Sequence, residues 1–197
     1  MNKPEAFDLW TWSKCHEKIC TLEGRLGFPK GKLLRFLGFE LNLANGKVTD
    51  TITKTVSDDP PEYILYLLYR YAEAKEVSLT GELINYRQIP GGRIYNPVFE
   101  GRVVMPIAHG LSKSPEIFQQ AAEAFGGHKL AQGDLAYSIP ALPRIPLTYI
   151  LWLADEEFPA RAQVLMDRSV TNYLDAEPLS HLAALTSKRL LDFRKKM

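Results

Sequence analysis

Cysteine is scarce in this sequence: only Cys15 and Cys20 occur among 197 residues. Two thiols five positions apart, in no C-x-x-C arrangement, are too few for a disulfide framework or a four-cysteine metal or iron–sulfur site. They suit a reducing compartment. Long apolar runs are missing as well. No stretch approaches the roughly eighteen residues that a membrane-spanning helix needs, and the opening residues MNKPEAFDLW lack the apolar core of a signal peptide. Charge of neither sign is in excess, since 24 basic and 23 acidic side chains leave a formal net charge of +1. That balance argues against the broad basic face that recruits nucleic-acid phosphates. Signature motifs are absent too: there is no G-x-G-x-x-G, Walker loop, G-x-S-x-G elbow or H-E-x-x-H helix. His16, His109, His128 and His181 stand far apart, none with a second ligand at helical spacing. The expectation is a soluble, cytoplasmic protein that engages neither membrane nor nucleic acid.

What is present is an ordinary globular composition, 46% hydrophobic and 11% aromatic, enough to bury a sizeable core. Residues 1–30 read as an N-terminal helix and linker, and residues 31–197 as one α+β domain. That domain is expected to be a mixed, mainly antiparallel sheet with helices packed on it. In the first helix, residues 5–22, Trp12, Cys15, Ile19 and Leu22 form one stripe. Adjacent Cys15 and His16 point about 100° apart on a helix and do not easily share an ion. Residues 33–43 and 47–53 alternate with period two around Asn45-Gly46, a hairpin signal. Asp58-Asp59-Pro60 opens a helix that buries Ile64, Leu65, Leu68, Tyr71 and Ala72. Ser114-Pro115 opens another, burying Ile117, Phe118, Ala121, Ala122 and Phe125 and stopping at Gly126-Gly127. Residues 135–139, 147–153 and 163–167 read as strands, with Pro140, Pro143 and Pro146 punctuating the join between the first two. A helix from about Leu179 closes the chain, with Leu182, Ala183, Thr186, Leu190 and Phe193 on its stripe. The basic cluster Lys188, Arg189, Arg194, Lys195 and Lys196 at its end reads as a solvated face complementing the helix dipole.

Three constellations carry chemistry. Tyr86 to Phe99, YRQIPGGRIYNPVF, puts Arg87 and Arg93 on either side of Pro90-Gly91-Gly92, with Tyr95 following. A Gly-Gly turn lets backbone approach a ligand closely, and guanidinium forks suit carboxylates or phosphates. Tyr86, Tyr95 and Phe99 would supply a stacking wall for a conjugated ring. The same residues equally describe a bend between strands whose arginines pair with an acidic turn. That turn, Asp155-Glu156-Glu157, is the second constellation, with Asp167 one strand later. Its carboxylates could hold a cation or act as acid and base, or simply form a solvated turn. Were their strands a hairpin, Asp155 and Asp167 would lie at opposite ends of it. The third is Gly110 to Ser114 with Lys113, an anion-binding helix start or plain capping. His109 beside it suits an axial ligand, a proton carrier or an ordinary surface histidine.

Three segments together, LTGELINYRQIPGGRIYNPVF (79–99), LPRIPLTYILWLADEEFP (142–159) and VLMDRSVTNYL (164–174), resemble the prokaryotic Domain of Unknown Function 3786 family. The FLGFELNL hairpin and the helix at 60–74 fall in the matching order, so the resemblance runs over nearly the whole chain from about residue 30. It implies a setting in anaerobic bacteria and archaea. Some members carry an iron–sulfur module similar to that of corrinoid iron–sulfur proteins; with two cysteines, this chain would need a partner to provide any cluster. The positions that the resemblance carries over are Arg87, Gly91, Gly92, Arg93, Tyr95, Arg144, Asp155, Glu156, Asp167 and Tyr173. The favoured expectation is a non-catalytic binding or accessory protein of anaerobic cofactor, corrinoid or iron–sulfur redox metabolism. It would hold an anionic, tetrapyrrole-like ligand such as a corrinoid or haem, or dock an iron–sulfur or corrinoid protein. The alternatives are an enzyme using Asp155, Glu156 or Asp167, and a structural subunit with an exposed apolar patch.

Overall fold

The computed structural model describes residues 10–193. The expected helix start at residue 5, and Arg194, Lys195 and Lys196 of the basic cluster, lie outside them. Within that range α1 is Trp12–Cys20, and Cys15 and Ile19 face inward from it, followed by buried Leu22. Leu26 and Phe28, in the connection that follows, join the same continuous core.

The first β region departs from the expected pair of strands. Residues 33–43 are themselves a hairpin, β1 (Leu33–Phe36) and β2 (Phe39–Asn42), turning through Leu37 and Gly38 at φ +47° and +75°. Paired positive φ values are the two-residue turn that matches strand twist, but leucine rarely adopts them, so no sequence signal marks the place. β2 continues through Asn45-Gly46 into β3 (Val48–Asp50), and β4 (Thr55–Ser57) completes a four-stranded antiparallel meander. Only Gly46 of the Asn-Gly pair takes positive φ, +78°. The connection is five residues long, with Gly46 N–H donating to the Asn42 carbonyl at 2.8 Å.

Helix α2 (Glu62–Ala72) buries the five positions that its spacing indicates, together with Leu67. β5 (Leu83–Asn85) then enters a second sheet, ordered β5-β9-β8-β7-β6 and antiparallel throughout. Helices α3 (Gly92–Phe99), α4 (Met105–Leu111) and α5 (Pro115–Ala124) fill the connection before β6 (His128–Leu130). α5 ends as its glycines dictate: Gly126 lies at φ +76° and Gly127 N–H returns to the Ala122 carbonyl at 2.8 Å. Strands β7 (Leu135–Leu142), β8 (Ile145–Trp152) and β9 (Arg161–Asp167) form the sheet centre. Pro140 and Pro146 do not end their strands; they face each other inside the β7–β8 ladder. β6 pairs only with residues 136–138 of β7, and β9 only from Leu147 of β8 onward. Each proline therefore has a neighbour on one side alone, where a missing N–H interrupts nothing. α6 (Ala176–Phe193) packs against β7, α2 and α5. Leu182, Ala183, Thr186 and Leu190 are buried on it, while Phe193 is half-buried.

The architecture is α+β. No helix among the described residues is long and apolar enough to cross a membrane.

Candidate functional site

The Tyr86–Phe99 segment is largely helical rather than a loop. Tyr86–Gln88 form a 3-10 turn, Gly91 takes φ +79° as N-cap, and α3 begins at Gly92. A Cβ at Gly92 would sit 2.0 Å from the Tyr86 carbonyl oxygen, so the second glycine is a steric requirement of this tight entry. The rings of Tyr86 and Phe99 stack on each other, centroids 4.2 Å apart and planes 5° apart, and both are buried. The stacking wall anticipated for a ligand is thus spent on the core. Arg87, Arg93 and Tyr95 are exposed, and no ion pair among the described residues joins either arginine to the acidic turn.

The carboxylates are held apart. β8 and β9 pair Trp152 with Arg161 and Leu147 with Met166, so Asp155 and Asp167 stand at opposite ends of that ladder. Asp155 Oδ1 accepts the backbone N–H groups of Glu157 (2.9 Å) and Phe158 (2.7 Å), bonds that lower its pKa. Glu156 is exposed beside it. Asp167 is buried and accepts from Thr80 N–H and Oγ1 (both 3.0 Å), Gly81 N–H (2.7 Å) and Ser169 N–H (2.8 Å). Burial alone would raise its pKa, but these bonds outweigh it and bring the value to about 2. Both carboxylates brace loops. The other candidates also serve structure. Tyr173 is buried, its hydroxyl donating to the Val77 carbonyl (2.6 Å) and accepting Val77 N–H (3.0 Å). Arg144, at the β7–β8 tip, pairs with Glu76 and donates its backbone N–H to Tyr71 Oη at 3.0 Å. His109 is exposed on α4, and Ser114 occupies the N-cap of α5 without a side-chain bond. None of the cavities described below is lined by both Arg93 or Tyr95 and Asp155 or Asp167.

The structure instead opens a cleft along α6. A hollow of about 610 Å³ lies between that helix, Tyr63 of α2 and the meander, with Phe39, Ile52, Ala184 and Leu185 as apolar wall. A second of about 620 Å³ shares Ala184, Lys188 and Asp192 with it and adds Arg102, Pro106 and Leu191. At the base of the first, Arg189 donates from Nη1 to Asp50 Oδ2 (2.6 Å), from Nη2 to Oδ1 (2.8 Å) and from Nε to the Leu37 carbonyl (3.0 Å). Its guanidinium lies 4.1 Å over the Phe39 ring. Arg189 is thus buried, not solvated as its place in the basic cluster suggested. Lys188 stays exposed and pairs with Asp192. His181 lies on the cleft edge, its ring meeting Tyr66 edge-on at 5.9 Å. Arg189 was findable: it stands three residues after Thr186, on the buried stripe of α6, where a lone charge calls for a partner.

No group of three or more His, Cys, Asp or Glu side chains among the described residues is placed to hold a metal ion. Cys15 is buried, and Cys20 Sγ donates to the Leu43 carbonyl at 3.7 Å; burial raises the pKa of both thiols. No curated protein and no solved structure matches the chain. A family model described as Domain of unknown function (DUF3786) does match it over residues 26–189, and the chain belongs to that family.

Proposed function

We propose that this protein binds an organic molecule with an apolar body and an anionic group in the cleft along α6, and holds it without transforming it. The observation that carries the reading is the pair of adjoining hollows, about 610 and 620 Å³, with apolar walls, Lys188 lining both and Arg102 lining the second. Ligand pockets typically run from about 300 to 1,000 Å³ and combine such walls with a few placed polar groups. Against a catalytic step stand Asp155 Oδ1 and both oxygens of Asp167, which accept loop N–H groups. Within this class a tetrapyrrole, corrinoid or haem, is the form that would tie the protein to anaerobic cofactor metabolism.

Two titrations test it. Anilinonaphthalenesulfonate, an apolar anion that fluoresces when sheltered, should bind saturably at one site, and Arg102→Ala with Lys188→Ala should weaken it severalfold. Unsaturable binding, or binding indifferent to both changes, would refute the cleft. Protein purified without oxygen should carry a visible chromophore or shift the spectrum of added haem or cobalamin. Neither occurring removes the tetrapyrrole form alone.

A second reading, docking of an iron–sulfur or corrinoid protein, is favoured by one face of α3 and α4. Ile94 is 79% exposed, and Tyr95, Val98 and Met105 are exposed along the same run, flanked by Arg93 and Arg102. Exposed apolar side chains grouped along one short run are a feature of interaction sites. Chemical crosslinking in native extract should lose a specific product with Ile94→Glu; an unchanged product pattern would count against the docking face.

A further inference from the structure

A smaller hollow lies on another side of the molecule, between the 3-10 turn after β5, α3 and β9. Its volume is about 140 Å³. Two features set it apart. First, the helix that walls it is irregular. Pro97 stands inside α3 and can give no N–H to the preceding turn, and the chain then runs through a π turn, Glu100–Val104, whose first and last residues both line the hollow. Single π turns within helices occur frequently at functional sites. Second, four polar side chains on its wall, Arg87, Asn96, Glu100 and Gln163, make no hydrogen bond or ion pair with any described residue. Gln88 reaches back to accept the Asn85 N–H at 2.9 Å, and the Asn85 side chain faces the Gln88 N–H in return, so this residue caps the turn that walls the hollow.

The charges on the wall are of opposite sign. Arg87 presents a guanidinium fork, which suits a carboxylate, while Glu100 suits an ammonium group. The edges of Tyr86 and Phe99, with Val104 and Val164, leave a small apolar corner. We propose that this hollow binds a small α-amino-acid zwitterion, its carboxylate on Arg87, its ammonium on Glu100, and a short side chain in the apolar corner. Its volume admits several water-sized groups, which selects glycine, alanine or serine over larger side chains. The assignment does not rest on the α6 cleft and shares no residue with it.

Isothermal titration with L-alanine tests it, with acetate and methylammonium as the two half-ligands. L-Alanine should bind, and each half-ligand should bind at least about tenfold more weakly, because each satisfies one charge only. Arg87→Gln and Glu100→Gln each remove one charged hydrogen-bond partner and should weaken L-alanine by about 10- to 100-fold. Both side chains are exposed and unpaired, so circular dichroism of the variants should match the parent. Three results overturn the proposal: no heat with glycine, L-alanine or L-serine at millimolar concentration; acetate binding as well as L-alanine; or affinity unchanged in both variants. Binding of anilinonaphthalenesulfonate at α6 should be unaffected by Glu100→Gln, so the two sites fail or stand separately.

Discussion

Removing Asp50 should cost far more than one carboxylate on a strand end usually does. Its oxygens receive two charged hydrogen bonds from Arg189, and Oδ1 also accepts Ile52 N–H at 2.9 Å and Thr53 N–H at 3.1 Å. The side chains of Arg189 and Asp50 are 7% and 14% exposed. Asp50→Ala leaves a guanidinium buried with only the Leu37 carbonyl to accept from it. Such stranded charges cost about 3–5 kcal/mol, a large share of the roughly 5–15 kcal/mol that holds a domain folded. Arg189→Met should cost a similar amount. The double variant, an alanine beside a thioether, should lose less than the sum by at least about 2 kcal/mol, since neither partner is left charged and alone. The pair also sets an acid dependence. Burial alone would raise the pKa of Asp50, but Arg189 and Thr53 outweigh it and hold the carboxyl well below its ordinary 3.8. A depressed value stabilises fully above the unfolded pKa, so the contribution is present above about pH 4 and is lost as pH falls below it. Urea unfolding followed by fluorescence and circular dichroism, repeated from neutral to acid pH, reads both effects. An Asp50→Ala loss under about 1 kcal/mol, or strictly additive single changes, would refute the reasoning.

Asp167→Ala should destabilise by about 2–4 kcal/mol, because the Thr80, Gly81 and Ser169 N–H groups lose their common acceptor. Its pKa falls from 3.8 to about 2, worth roughly 2 kcal/mol of stability that disappears between about pH 4 and pH 2; an acid titration of the parent and variant checks both. Gly92→Ala should cost about 2–3 kcal/mol, since its Cβ meets backbone at 2.0 Å. Gly91→Ala, whose nearest neighbour would be 3.7 Å away, should cost only the roughly 1 kcal/mol of its positive φ. Equal melting temperatures for the two glycine variants would contradict that contrast. Tyr149→Phe removes the hydroxyl between the Ala183 carbonyl (3.3 Å) and Ser187 Oγ (3.1 Å) and should cost about 1 kcal/mol by urea titration, because Ser187 still donates to the Val103 carbonyl.

Much of the fold was legible because its signals are local. The helix start at Ser114, the Gly126-Gly127 stop and the buried strands around 135–167 each follow from a few neighbouring residues, whereas α2 begins at Glu62 with Pro61 as N-cap, just after the expected Asp58-Asp59-Pro60 opening. The failures have physical causes. Leu37 turns β1 into β2 in a backbone conformation that a leucine side chain disfavours, so nothing in its identity predicts the turn. Tyr86 to Phe99 read as a loop or a bend between strands, yet the chain from Gly92 is helical through Pro97, with a π turn following the lost bond. The α6 cleft was illegible for another reason. Arg189 and Asp50 are 139 positions apart, and no short-range pattern foretells which carboxylate a distant guanidinium meets. By contrast, the opposition of Asp155 and Asp167 followed correctly from antiparallel pairing alone.

The clasp between Arg189 and the meander also bears on how the polypeptide assembles as it is synthesised. β1 to β4 pair with sequence neighbours and can form as soon as they are made, whereas the group that fastens them to the rest belongs to α6, which follows every other element in chain order. Until that helix emerges, the inner face of the nascent meander, with Phe39 at its centre, has no cationic lid. The interval exposes a sticky surface to chaperones or to like molecules, and its length is set by translation rather than by the intrinsic speed of strand pairing.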